Sequence, residues 1–354
     1  MRFIHLADVH LGAVPDKGCP WSSKREEEIW ETFRRVIADI SNAPVDLLFI
    51  AGDLFHRQPL LKELKEVNYL FSTIPRTKVF LMAGNHDYLK RDSFYRDFQW
   101  EPNVVFFDQE KVTCVKDAEL GVYVYGMSYH SQEIRENIYD SLKPIDEKGF
   151  HVLLAHGGDE KHIPMDIAAI VGTGFDYIAL GHIHKPQTLI KDTAVYAGAL
   201  EPIDRNDLGP HGYVEGRYED GRVKTNFVPF ACRSYQQLLL TLREDSTQFS
   251  LEEMLKTDIM KRGGRNIYRV ILQGVRAPEF LVMTEKLKAY GNITEVLDES
   301  RPAYDLKELL VQYRGTLIGD YIEYFLDKKR TSVEEKALYY GLQALLETST
   351  AFRK

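Results

Sequence analysis

Five short apolar stretches, at residues 2–7, 45–51, 78–83, 151–155 and 177–180, each run straight into a turn that combines glycine with metal-ligating residue types. The first ends in Asp8-Val-His10-Leu-Gly12 and the second in Gly52-Asp53-Leu-Phe-His56. The third ends in Gly84-Asn85-His86-Asp87, the fourth in His156-Gly157-Gly158 and the fifth in Gly181-His182-Ile-His184. Uninterrupted runs of this length, rich in β-branched residues, Leu and Phe, fit strands buried on both faces. Helices are predicted between them. Ser23-Lys-Arg-Glu26 reads as a capping box, and Ile29, Phe33, Val36, Ile37 and Ile40 keep helical spacing after it. Residues 60–72 place Leu61, Leu64, Val67 and Leu70 or Phe71 on one face. Strand–helix–strand alternation predicts an α/β chain of βαβ units, a helix-flanked sandwich of mixed sheets.

Sites in α/β folds form beyond the carboxyl ends of the strands, where loops converge and vary without breaking the core. Five such turns would gather about seven nitrogen and oxygen donors in one cleft, with glycines allowing sharp turns and close approach. That is more than one zinc needs. A mixed carboxylate, imidazole and amide set suits two divalent ions of intermediate hardness, Mn²⁺ first, with Fe²⁺, Mg²⁺ or Zn²⁺ as alternatives. Two such ions can clamp a phosphate and lower the pKa of a bridging water.

The rest of the composition fits this reading. The 45 basic and 53 acidic side chains give a net charge of −8, which argues against holding nucleic acid by bulk attraction alone. Two divalent ions would reverse much of that excess locally. All 11 histidines lie at or before His211, so the chemistry belongs to the first two-thirds of the chain. Cys19, Cys114 and Cys232 form no disulfide framework or zinc knuckle. No apolar run approaches the roughly 18 residues of a membrane span, and an acid at position 8 precedes any signal-peptide core, so a cytoplasmic protein is expected.

Three domains are expected: residues 1–232, a small α+β domain at 233–300, and a helical tail at 301–354. The small domain reads as strands at 236–243, 266–273 and 292–296 with helices at 251–261 and 280–290. In the tail, Ser332-Val-Glu-Glu335 reads as a cap for the last helix.

The set D-x-H, G-D, G-N-H-D, H-G and G-H-x-H resembles the calcineurin-like metallophosphoesterase superfamily. Asp8-Val-His10-Leu-Gly12 and Gly52-Asp53-Leu-Phe-His56 narrow the resemblance to the SbcD-type DNA repair exonucleases, bacterial relatives of the meiotic recombination 11 nuclease. The stretch Gly198-Ala-Leu-Glu-Pro202 through Gly209-Pro-His-Gly-Tyr213 is closer to their YhaO-like branch. The motif match covers residues 3–203. The resemblance implies a four-layer α/β/β/α metallophosphoesterase sandwich carrying a small α+β capping domain. It implies that Asp8, His10, Asp53 and His184 hold one metal and that Asp53 bridges to a second held by Asn85, His156 and His182. His86 would protonate the leaving 3′ oxygen, His56 would orient the phosphate or support the ligands, and Asp87 would hydrogen-bond His86 to fix its tautomer. The implied activity is Mn-dependent exonuclease and endonuclease cleavage of phosphodiesters by a hydroxide held between two metals, in double-strand-break repair. Implied partners are DNA, a second copy in a homodimer, and an SbcC-like coiled-coil ABC-type ATPase docked on the C-terminal helices.

Around this core the residues leave choices open. Lys90, Arg91 and Arg57 follow ligand turns and are candidate substrate contacts, and Trp21 is either a stacking platform for a base or part of a packed Ω-loop. The cluster Lys24-Arg25 either tracks DNA or forms a solvated helix face, whereas Arg34-Arg35 and Lys328-Lys329-Arg330 read as solvated helix faces before DNA contacts. His5, His130, His151, His162 and His211 read first as structural. Two other functions share the same motifs: a small-molecule phosphodiesterase or phosphatase, and a DNA-end-binding scaffold for the ATPase.

Overall fold

The structure, a computed structural model, describes residues 1–326 and 329–351, and divides into two compact units, residues 1–236 and residues 237 onward. The first contains β1 (Arg2–Leu6), α1 (Ser22–Asn42), β2 (Leu47–Ala51), α2 (Leu61–Ser72), β3 (Lys78–Met82), β4 (Val104–Phe106), β5 (Thr113–Asp117) and β6 (Val122–Gly126). It continues through β7 (Phe150–His156), α3 (Ile167–Val171), β8 (Tyr177–Gly181), β9 (Gln187–Ile190), β10 (Ala194–Tyr196), β11 (Gly212–Glu219) and β12 (Arg222–Pro229).

Two six-stranded sheets form, in the orders β12-β11-β1-β2-β3-β4 and β5-β6-β7-β8-β10-β9. The strands that precede the ligand turns run parallel, β1 to β3 in one sheet and β7 and β8 in the other. Their register sets Leu6 opposite Ile50, Ala51 opposite Met82 and His156 opposite Gly181, and Gly181 packs against Ala51 and Ala7 across the sheets, so all five carboxyl ends finish together. Antiparallel strands cover the outer positions beside β1, β6 and β10.

Phe3, Phe49, Phe80 and Met82 of the first sheet meet Val124, Phe150, Val152, Leu154 and Tyr177 of the second in a buried inter-sheet core. On its other face the first sheet packs against Ile29, Phe33, Val36, Leu64, Val67 and Phe71 of α1 and α2. The layer beyond the second sheet is thinner, built from α3 and the segment that carries Tyr129, Ile134 and Tyr139. This is the expected α/β/β/α sandwich. Strands buried on both faces explain the continuous apolar runs, whereas exposed β5 and β9 alternate or read as polar and gave no such signal.

The helix starts differ from expectation. No side chain caps α1, whose N-cap position is Trp21, so the Ser23–Glu26 box is not formed. Instead the Ser22 hydroxyl donates to the carbonyl of Pro15 and binds the preceding turn to the helix. Arg25, read as a possible DNA contact, is fully buried, paired with Glu28 and Glu201 and donating to the Pro202 carbonyl.

The chain beyond the first sandwich holds β13 (Tyr235–Leu242), α4 (Gln248–Arg262), β14 (Ile267–Arg276), α5 (Thr284–Leu287), β15 (Asn292–Asp298) and β16 (Arg301–Pro302). Leu238, Leu240, Leu251, Leu255, Val270 and Leu272 form its core. The helix expected at 280–290 is helical only from Thr284 onward, because two backbone groups before it bond elsewhere. The Phe280 carbonyl accepts from Arg276, and the Met283 N–H donates to Gln248. Then follow α6 (Leu306–Gln312), α7 (Leu317–Leu326) and α8 (Ser332–Ala351), with Ile318, Ile322 and Leu342 at their centre. The cap of α8 is Thr331 with Glu334, one residue before the expected pair: the Thr331 hydroxyl accepts from Glu334 N–H, and Glu334 accepts from Thr331 N–H. Lys328 of the basic cluster lies outside the described residues. Among the described residues no helix is long and apolar enough to cross a membrane.

Candidate metal centre

The turns that carry the candidate ligands need unusual backbone. Asp8, His10 and Asp53 adopt φ of 49°, 52° and 50°, and His182 adopts 96°, in the left-handed region that few side chains enter. Such strain persists only where surrounding contacts enforce it. Here the Asp8 N–H donates to the Gly52 carbonyl at 3.2 Å and the His10 N–H to the Asp53 carbonyl at 3.0 Å, tying the first two turns together. Glycine is required beside them. A Cβ on Gly52 would lie 2.4 Å from His156 Nδ1, and one on Gly84 would lie 2.3 Å from Asp53 Oδ1.

The side chains converge. His10 Nε2 lies 3.0 Å from His184 Nε2 and 3.9 Å from Asp53 Oδ2. His156 Nε2 lies 3.5 Å from Asp53 Oδ2 and 2.9 Å from Asn85 Oδ1, and His182 Nδ1 lies 3.1 Å from the same Asn85 oxygen. The Asp8 carboxylate accepts the His182 main-chain N–H at 2.9 Å. Asp8, His10, Asp53, Asn85 and His156 are buried, whereas His56, His86, His182 and His184 are only partly so and line the open side.

The donor chemistry fits cations. Ring nitrogens are aimed at one another and at carboxylates, while the opposite nitrogens of His156, His182 and His184 are held from behind. His156 Nδ1 donates to the Ala51 carbonyl at 2.8 Å, His182 Nε2 meets Asp159 at 2.8 Å and His184 Nδ1 meets Asp207 at 3.1 Å. Among the described residues four sets bring their ligand atoms within 4.8 Å of one another: Asp8 with His10 and His184, Asp8 with Asp53 and His156, His10 with His56 and His86, and Asp159 with His162 and His182. A carboxylate, imidazole and amide site of this kind suits divalent first-row ions.

Without cations the site is electrostatically divided. Burial raises Asp8 to about 6 despite the histidines beside it. For Asp53 burial acts upward, but the adjacent His156 outweighs it and holds the carboxyl well below the usual range. Burial opposes a charge on His156, yet Asp53 prevails and lifts it to about 9. His184 is likewise lifted to about 9 against burial by Asp207 and Asp8. Burial and the neighbouring His156 lower His182 to about 4.

His86 sits beside this group, its ring 4.9 Å from that of His10 and stacked 5.1 Å from that of His56. His56 Nδ1 is 3.4 Å from His10 Nδ1. Asp87 does not orient His86. Its carboxylate is buried and accepts from the N–H of Gly84 and Phe55 and from the Tyr95 hydroxyl, at 2.8, 3.1 and 2.9 Å. The His86 ring instead donates from Nδ1 to the His56 carbonyl at 3.1 Å. Trp21 is 7% exposed and its indole N–H donates to Asp16, so it belongs to the packed loop and offers no face to a base. Arg57 is drawn into a doubly bonded pair with Glu63, Lys90 lies 3.8 Å from Asp92, and Arg91 lines a groove with Leu61 and Phe94 beside α2.

Asp159 and Asp207 are not among the residues the sequence motifs point to, and His162, expected to be structural, lies with its Nδ1 2.9 Å from each Asp159 oxygen. The signal for Asp159 was its place directly after His156-Gly-Gly; Asp207 had none.

The sequence profile of the family described as calcineurin-like phosphoesterase matches residues 1–186, more than half of the chain. The chain belongs to the calcineurin-like phosphoesterase family. Its similarity to individual phosphoesterases extends further. A Bacillus subtilis protein named uncharacterized metallophosphoesterase YhaO is 26% identical over 324 residues, 84% of this chain and 76% of its own. Two proteins named DNA double-strand break repair protein Mre11 are also similar. That of Methanocaldococcus jannaschii is 29% identical over 224 residues, 58% of each chain, and that of Archaeoglobus fulgidus 27% identical over 320 residues, 82% of this chain and 68% of its own.

Proposed function

We propose that this calcineurin-like phosphoesterase is a DNA repair nuclease that hydrolyses phosphodiester bonds with two divalent ions, Mn²⁺ preferred. The observation that carries the reading is the convergence of Asp8, His10, Asp53, Asn85, His156, His182 and His184, with His86 beside His10 at its open side, in a chain similar to two Mre11 proteins. Asp8, His10, Asp53 and His184 would hold one ion, and Asp53, Asn85, His156 and His182 the other. Bound there, the ions would supply positive charge to the phosphate and acidify an attacking water.

The protein's own groups do the rest. Asp8, Asp53 and His156 are buried, so the inner side of the ligand set is shielded from solvent. The His56 carbonyl fixes the His86 proton on Nδ1, which leaves Nε2 to carry a second proton to the leaving oxygen. His56, stacked on His86 at the open side, would contact phosphate. The assembly implied by the family resemblance is a homodimer joined to an SbcC-like coiled-coil ABC-type ATPase, in the cytoplasm. Exposed Val311, Leu317, Tyr324 and Val333 on the terminal helices favour a docked partner there.

The test is a substrate panel in Mn²⁺: 3′-labelled duplex DNA beside bis-p-nitrophenyl phosphate and p-nitrophenyl phosphate. Release of label from duplex supports the reading. Turnover of the small esters with intact DNA would replace it with a small-molecule phosphodiesterase. DNA-end binding with no hydrolysis of any substrate would replace it with a scaffold.

A further inference from the structure

Each histidine of the fifth turn is held from behind by a carboxylate that lies outside the five strand-end motifs. Asp159 meets Nε2 of His182, and Asp207 meets Nδ1 of His184. The two rings therefore turn opposite nitrogens toward the centre: Nδ1 of His182 faces Asn85, and Nε2 of His184 faces His10. Only an N–H can donate to a carboxylate, so each acid fixes one tautomer and one ring orientation and leaves the lone pair of the other nitrogen for an ion.

Both acids are themselves held by hydrogen bonds, Asp159 at the surface and Asp207 half-buried. The Asp159 carboxylate accepts from the N–H of Lys161 and His162 at 2.8 and 3.0 Å, and the His162 ring braces both its oxygens. The oxygen of Asp207 that meets His184 also accepts the N–H of Ile203 and Asp204, each at 3.0 Å. Because neither acid touches the other's histidine, each acts on one half of the centre.

We infer that Asp159 and Asp207 are positioning residues that set the affinities of the two halves of the metal centre separately. Asp159 acts on the half made by Asn85, His156 and His182, and Asp207 on the half made by Asp8, His10 and His184. The inference rests on the two-ion reading above. His162 serves in it as a brace for Asp159 and holds no ion of its own.

The test is calorimetric titration of the metal-stripped full chain with MnCl₂, which reads stoichiometry and affinity without turnover. Wild type should take up two ions, and Asn85→Ala should identify the step that belongs to its half. Asp159→Ala should weaken that same step by about 10–100-fold, the usual loss when a ligand's supporting group is removed, and leave the other step in place. Asp207→Ala should do the reverse. Asp159→Asn, which keeps an acceptor oxygen for the ring, should recover part of the loss, and metal-free melting temperatures near wild type would show the variants folded. The inference is overturned if Asp159→Ala leaves both steps unchanged or weakens them equally, or if wild type binds a third ion that Asp159→Ala abolishes. A wild type that takes up fewer than two ions overturns the two-ion reading itself, and this assignment with it.

Discussion

Asp87 and His86 are neighbours in sequence whose side chains part: the His86 ring donates to the main-chain carbonyl of His56, while the Asp87 carboxylate turns inward onto three donors. The acid thus shapes the turn that presents His86 and does not touch its ring. Burial and the nearby Asp53 raise the Asp87 carboxyl to about 7, so it is poorly able to serve as a fixed charge. Asp87→Asn would set an amide N–H₂ against the N–H of either Phe55 or Gly84. A loss of about 1–3 kcal/mol in stability is expected by denaturant melting, the cost of an unsatisfied buried donor. The His86 tautomer, read by nitrogen NMR, should remain Nδ1–H. A change of tautomer at unchanged stability would contradict this division of labour.

Trp21 supports the fold. Its N–H shares the Asp16 carboxylate with the Tyr235 hydroxyl, both at 2.7 Å. Trp21→Phe removes one neutral donor to a carboxylate and should lower stability by about 1–3 kcal/mol, with duplex affinity unchanged in a fluorescence titration. A tenfold loss of DNA affinity at native stability would instead make the ring a base-stacking group.

The glycines of the ligand turns are steric requirements. At Gly52, φ is 85° and an added Cβ meets His156 Nδ1 at 2.4 Å, with no room to yield toward Gly84. Gly52→Ala should cost at least about 1–3 kcal/mol in strain and displace His156, lowering bound Mn²⁺ by mass spectrometry. Gly121 also has a positive φ, 68°, but nothing near its Cβ, so Gly121→Ala should keep full metal content at a smaller cost.

His156 and His184 define a pH response. Each is lifted to about 9 from an ordinary 6.5, so the folded metal-free protein holds these protons more tightly than the unfolded chain. Their contribution to stability is full below about 6.5 and is lost as pH rises toward 9. Mn²⁺ needs both rings deprotonated, so loading should strengthen across the same window. The melting temperature of the metal-free protein should fall between pH 6.5 and 9, while the increment added by Mn²⁺ should grow. A metal-free melting temperature flat across that range would contradict the assignment.

The strand-end turns were readable because their ligands are contiguous with apolar runs that can only be strands buried on both faces, and parallel register brings their ends together. The supports were not, because their contacts depend on tertiary approach. Asp159 lies 23 residues before His182, and Asp207 lies 23 residues after His184. The direction of Asp87 followed from Tyr95 and Phe55 reaching it through the core, which spacing does not encode. Ser23-Lys-Arg-Glu26 had the composition of a cap, but the loop before α1 is fastened through Ser22 and Trp21 instead.

Nuclease action through His86 is tested by release of a 3′ label from duplex DNA in Mn²⁺ by wild type and by His86→Asn, with bound metal and DNA affinity measured for both. Wild type should release label, and the variant, with metal and DNA binding retained, should be slower by about 10²–10⁴-fold, the range expected for a lost general acid. Equal release by the two proteins would contradict the role of His86, and no release by a fully metal-loaded wild type would contradict the nuclease.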